Sequence, residues 1–235
     1  MKATKVTSLI LLCSMLFASG AFAAEKKAAM KPDEAQAQDK QNPNVVANFE
    51  AGIVAYQAND LPLAYTAFLA AAKDGHADSQ FNVALMYEKG IGVGKDEKEA
   101  VVWYGRSASQ GNASAQFNLG VLYEHGRGTK VDFAKANEWY RKASVQGDAL
   151  AIGNLGMLYV RGQGVKENKT AGLALLLISA TQDSSPQNHA KRNIASTRGL
   201  SAEMIAAGQS LSGEMSSAKN LLMPLDQYLK NVEKK

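Results

Sequence analysis

The chain is organised around one stretch, Ala113-Ser-Ala-Gln-Phe-Asn-Leu-Gly-Val-Leu-Tyr-Glu-His-Gly-Arg-Gly128, which recurs up- and downstream at a fixed interval. A step of 36 residues links Tyr87, Tyr123 and Tyr159, and likewise Asn82, Asn118 and Asn154. The same step joins Gly90, Gly126 and Gly162, then Gly92, Gly128 and Gly164. A constant period of this length signals an array of stacked supersecondary units.

Each unit carries apolar residues at helical spacing, as in Phe117, Val121 and Leu122, with Leu119 and Tyr123 on the neighbouring stripe. The first glycine of each Gly-x-Gly suits the left-handed conformation that ends a helix, because it has no Cβ to clash. A second helix then starts at Asp96, Asp132 and Asn168, all able to accept from free backbone N–H groups, with Asp60 in the same register. Glu99, three residues after Asp96, gives that start the form of a capping box. The second helices carry Trp103-Tyr104, Trp139-Tyr140 and Leu175-Leu176, and stop near Gly111 and Gly147. The expected fold is all-α, an α/α solenoid of four helix hairpins over residues 46–75, 76–111, 112–147 and 148–183. The first is degenerate: Tyr56 precedes Asp60 by 4 residues whereas Tyr87 precedes Asp96 by 9, so its connecting loop is shortened. Leu173 to Ile178 is apolar on most of the helix and demands a cover. Residues 184–235 are expected to supply it as capping helices, one started by Ser185-Pro186, one by Ser201 with Met204, Ile205, Gly208, Leu211 and Met215 on its packed side, and a short one introduced by Pro224.

Residues 1–23 read as a secretory signal, with Lys2 and Lys5 at the basic end, Val6 to Phe17 as the apolar middle and Ala21-Phe22-Ala23 at the cleavage site. That apolar stretch is too short to span a bilayer. Residues 24–45, rich in Ala, Lys, Gln, Asp and Glu, are expected to form a disordered linker. Cys13, the single cysteine, lies in the signal, and the bulky Leu12 before it argues against a lipoprotein site. The formal charge of +4 falls to +2 once Lys2 and Lys5 are removed, too mild for an electrostatic grip on nucleic acid.

Ala-x-Ala-Gln-Phe-Asn-Leu-Gly-Val-Leu-Tyr-x-x-Gly-x-Gly, followed by Asp, Ala-x-x-Trp-Tyr and Gln-Gly, resembles the Sel1-like repeat, a relative of the tetratricopeptide repeat of about 34 residues. The resemblance covers residues 46 to 183 and is most specific over 76–147. It implies a solenoid that serves as a protein-interaction scaffold, in bacteria often exported to the envelope. Some cysteine-rich exported relatives are described as penicillin-binding or β-lactamase-like, but their paired cysteines are absent from this chain. By similarity to tetratricopeptide arrays, the inner-surface positions are Phe81, Leu85 and Glu88; Phe117, Val121 and Glu124; and Gly153, Met157 and Arg161. They describe an apolar floor with charged residues near one rim, suited to an extended or helical peptide. Asn82, Asn118 and Asn154 are read as hydrogen bonding between units.

The chemical alternatives are thin. Gly90 to Lys95 fails as a phosphate loop, because Asp96 stands where Ser or Thr should hold magnesium and a helix precedes it. Ser216-x-x-Lys219 and Lys169-Thr-Ala-Gly172 fit a penicillin-recognising serine enzyme only in the wrong order and without its third motif. His76, His125 and His189 lack metal-ligand spacing; His125 suits the negative pole of a helix end. No catalytic residue, cofactor or metal is expected. The sequence reading is a monomeric, non-catalytic periplasmic or secreted scaffold for a protein or peptide partner in the cell envelope. A β-lactam or peptidoglycan-acting enzyme and a secreted effector that binds host proteins stand as alternatives.

Overall fold

The computed structural model describes residues 43–234. The signal, with Cys13 in it, and most of the linker lie outside the described residues. Eleven helices and no strand occur among those described. Four hairpins come first: α1 (Pro43–Gln57) with α2 (Leu61–Lys73), α3 (Ala77–Lys89) with α4 (Glu97–Ser109), α5 (Ala113–His125) with α6 (Phe133–Val145), and α7 (Ala149–Arg161) with α8 (Lys169–Gln182). α9 (Ala190–Ser196), α10 (Ala202–Ser217) and α11 (Met223–Glu233) complete the chain. Successive helices of the hairpins pack on one another, and both α9 and α10 pack on α8.

The capping chemistry follows the period. Asp60, Asp96, Asp132 and Asn168 each accept from a backbone N–H in the first turn of the following helix, at 3.2, 2.9, 3.0 and 2.9 Å. The first helices are capped as well, by His76 Nδ1, Asn112 and Asp148, each accepting three residues on. Gly90, Gly126 and Gly162 close those helices at φ +72°, +67° and +65°. After each turn the N–H of Asp96, Asp132 or Asn168 donates to the carbonyl of Tyr87, Tyr123 or Tyr159, each at 2.9 Å. The recurring tyrosines therefore hold equivalent places in the three regular units.

The second glycines have a separate reason. At Gly92, Gly128 and Gly164 an added Cβ would overlap the backbone of Leu61, Glu97 and Phe133, the first helical residue of the preceding unit's second helix. These loops touch the previous hairpin backbone to backbone, and only glycine permits that approach. Glutamines tie the units again. The side-chain amides of Gln80 and Gln116 donate to Ala72 O and Ala108 O at 3.0 Å, joining Gly75 N and Gly111 N on these last-turn carbonyls. Gln110 and Gln146 then donate to Gln80 and Gln116 at 2.7 and 2.8 Å.

Tyr104 and Tyr140 are fully buried, as is Phe68. Trp103 is buried too, but Trp139 is only half-buried, with Lys142 Nζ 4.0 Å from its ring centre. Of the Trp-Tyr pair, the tyrosine is the consistent core residue. Leu173, Leu175, Leu176 and Ile178 are buried, and Gly208 of α10 lies flat on the Leu173 side chain, so the expected cover is present.

Three local expectations are corrected. The linker does not extend to residue 45: the chain is already helical at Pro43, and Val45 is buried in the α1 packing face. Ser185-Pro186 starts no helix. Asp183 accepts from the Ser185 backbone and hydroxyl, and Asn188 donates to Ser179 O and Asp183 O, which holds this segment as a turn until α9 opens at Ala190. On α10, Ser201 is the N-cap and Gly208, Leu211 and Met215 are buried as expected, but Met204 and Ile205 in its first turns are 38% and 40% exposed, so the packed side begins at Gly208.

Candidate interaction surface

The first helix of each regular unit presents one row of residues, i, i+4 and i+8, which its own neighbours leave partly uncovered except at Gly153: Phe81-Leu85-Lys89, Phe117-Val121-His125 and Gly153-Met157-Arg161. Phe81 rests against Tyr104 and Phe117 against Tyr140, with ring centres 5.8 and 6.1 Å apart. These phenylalanines thus pack on their own second helix while keeping one side open. Leu85, Val121 and Met157 are half-buried. Gly153 is buried against Ser179, so the apolar floor narrows at the last unit.

The charged positions differ from the expected rim. Glu88 is 6% exposed rather than open to a ligand. It accepts from the Tyr104 hydroxyl at 2.8 Å and pairs with Arg127 at 3.0 Å and Lys89 at 3.2 Å. Glu124 is half-buried and accepts from the Tyr140 hydroxyl at 2.7 Å. Burial, reinforced by the neighbouring carboxylates, pushes both tyrosine hydroxyls above their ordinary range. The residue equivalent to Glu124 one step on is Val160, facing Gly172, and Arg161 is offset by one, exposed at the end of α7. Arg127, between its two glycines, also donates to Glu97 at 2.8 and 3.1 Å. That guanidinium, with Lys95 beside it, holds the Glu97 carboxyl below the usual range.

The asparagines divide. Asn154 donates across the unit boundary to the Tyr140 hydroxyl at 3.1 Å, as expected, but Asn118 donates to Ser114 O one turn back in its own helix, at 2.9 Å. Asn82 is buried. Ser216 and Lys219 are both exposed, at the end of α10 and in the turn after it. No group of His, Cys, Asp and Glu able to hold a metal ion occurs among the described residues. No helix among them is long and apolar enough to cross a membrane.

The sequence profile of the Sel1 repeat family matches residues 77–112, 113–148 and 149–184, one residue later than the boundaries read from the period. The chain carries three Sel1 repeats in tandem over residues 77–184. This Sel1-like protein is similar to a Sel1 repeat protein from Oxalobacter formigenes, at 28% identity and a TM-score of 0.60, over 75% of each chain. It is also similar to a protective antigen of uropathogenic Escherichia coli strains that displays an SLR fold, at 28% identity and a TM-score of 0.56, over 81% of this chain and 46% of that one. Among curated proteins nothing matches. Sel1-like repeat proteins generally mediate protein–protein interaction, and the repeat fold typically serves as a non-catalytic scaffold.

Proposed function

We propose that this Sel1-like protein is a non-catalytic scaffold of the periplasm or the secreted fraction, and that it holds a segment of an envelope protein on the inner surface formed by α3, α5 and α7. The observation that carries the reading is the half-open apolar row at Phe81, Leu85, Phe117, Val121 and Met157, set on helices fixed from behind by caps, glutamine bridges and buried tyrosines. A surface held rigid before binding avoids part of the ordering cost of association. The address rests on the basic, apolar and small-residue segments of residues 1–23.

The test is capture of partners from detergent-solubilised envelopes by the parent and by Val121→Asp, with thermal melting to establish that the variant folds. The expected result is a partner recovered by the parent and lost with Val121→Asp. Equal recovery by both would remove the inner surface from the account. Fractionation of periplasm against culture medium assigns the address, and recovery from the medium alone favours the secreted reading.

A further inference from the structure

The charges along the inner surface are sorted by sign. The two carboxylates beside the apolar rows turn inward: Glu88 to Tyr104, Arg127 and Lys89, and Glu124 to Tyr140. The basic side chains that end these helices stay outside. Lys89, His125 and Arg161 each end the first helix of a unit, at a 36-residue step, and each is exposed. Each also lies four residues beyond an apolar floor residue, after Leu85, Val121 and Met157 respectively, and so continues that residue's helix face. Internal neutralisation falls away along the array. Lys89 is shared with Glu88 at 3.2 Å, Glu124 forms no ion pair among the described residues, and Val160 stands beside Arg161 where the earlier units have a carboxylate, leaving Arg161 with no ion pair among the described residues.

Resting on the reading that the inner surface binds a polypeptide segment, we propose that its occupant is an acidic one, whose apolar side chains cover Leu85, Val121 and Met157 while its carboxylates meet the row Lys89, His125 and Arg161. An extended polyproline-type segment suits this, because every third side chain falls on one edge and supplies a line of carboxylates beside an apolar face. Cations at helix ends also suit the helix dipole. The dipole, however, makes no demand that the carboxylates of the same rows turn inward, and that sorting leaves the rim complementary to an anionic chain. Complementarity of this kind selects partners by charge.

The test uses two fluorescent twelve-residue peptides of the same Leu, Val and Ser pattern, one with Glu and one with Lys at every third position. Anisotropy titrations are run at low and high salt on the parent, Arg161→Glu and Val121→Asp, all checked by melting curves. The Glu peptide is expected to bind the parent more tightly than the Lys peptide by about tenfold or more, to weaken as salt screens the pairing, and to lose that advantage with Arg161→Glu. Equal binding of both peptides, or an Arg161→Glu variant that keeps the parent's preference, overturns the acidic occupant. If Val121→Asp still abolishes binding in that case, the inner surface survives as the site and only its charge reading fails. If no peptide binds the parent, or Val121→Asp binds like the parent, both readings fail.

Discussion

At Gly128 two demands meet in one residue: a left-handed backbone at φ +66° and direct contact with the Glu97 backbone of the preceding unit. Gly147 has the first demand alone, at φ +88° with open space where a Cβ would lie. Gly147→Ala is therefore expected to cost about 1–2 kcal/mol in urea unfolding, and Gly128→Ala clearly more, since the hairpins must move apart. Equal costs would mean that the loops do not lock neighbouring units. Asp148 makes a second test. Burial holds its carboxyl above the usual range, although it caps α7 through Ala151 N at 2.8 Å. A carboxyl whose folded-state pKa is raised opposes folding while ionised, so its contribution improves as pH falls through the folded value towards the unfolded one near 4. Asp148→Asn keeps a good cap, as Asn112 shows in the preceding unit, and removes the charge. The variant is expected to match or exceed the parent's stability at pH 7, with the difference shrinking as pH falls. A loss of more than about 1 kcal/mol at pH 7 would contradict this assignment.

Between elements, the period made visible whatever repeats and hid whatever does not. The caps at Asp60, Asp96, Asp132 and Asn168, the helix-ending glycines and the need to cover Leu173 to Ile178 were all legible, because each rests on local chemistry or on a pattern seen several times. The glutamine bridges recur at the same step, at 80 and 116 and again at 110 and 146, but sequence spacing does not reveal that these side chains meet. Pro186 misleads because a proline suits a turn as well as a helix start, and the Asp183 and Asn188 side chains stabilise the turn. The cover itself gives a prediction: a chain ending at Asp183 lacks α9 to α11 and exposes Leu173 and its neighbours. It is expected to bind a hydrophobic dye and associate on gel filtration, whereas a monomer with the parent's melting transition would show that these helices are dispensable to the array.

Across the whole molecule, residues that face each other between hairpins are consumed by the stack, and the proposed partner surface is the row each first helix leaves half-open. That Phe81, Leu85, Phe117, Val121 and Met157 take equivalent, half-buried helical places was readable from the repeat. The charges were not, since the inward turn of Glu88 depends on Arg127 from the following unit, contributed 39 residues later in the chain. The most direct measurement places a photoreactive benzoylphenylalanine at position 121, on the inner row, or at position 102, where Val102 is 45% exposed on the second-helix layer. Irradiation in intact cells is expected to give a discrete adduct from position 121 and none from position 102. An adduct from position 102 with none from position 121 would contradict the inner surface as the working part of the protein.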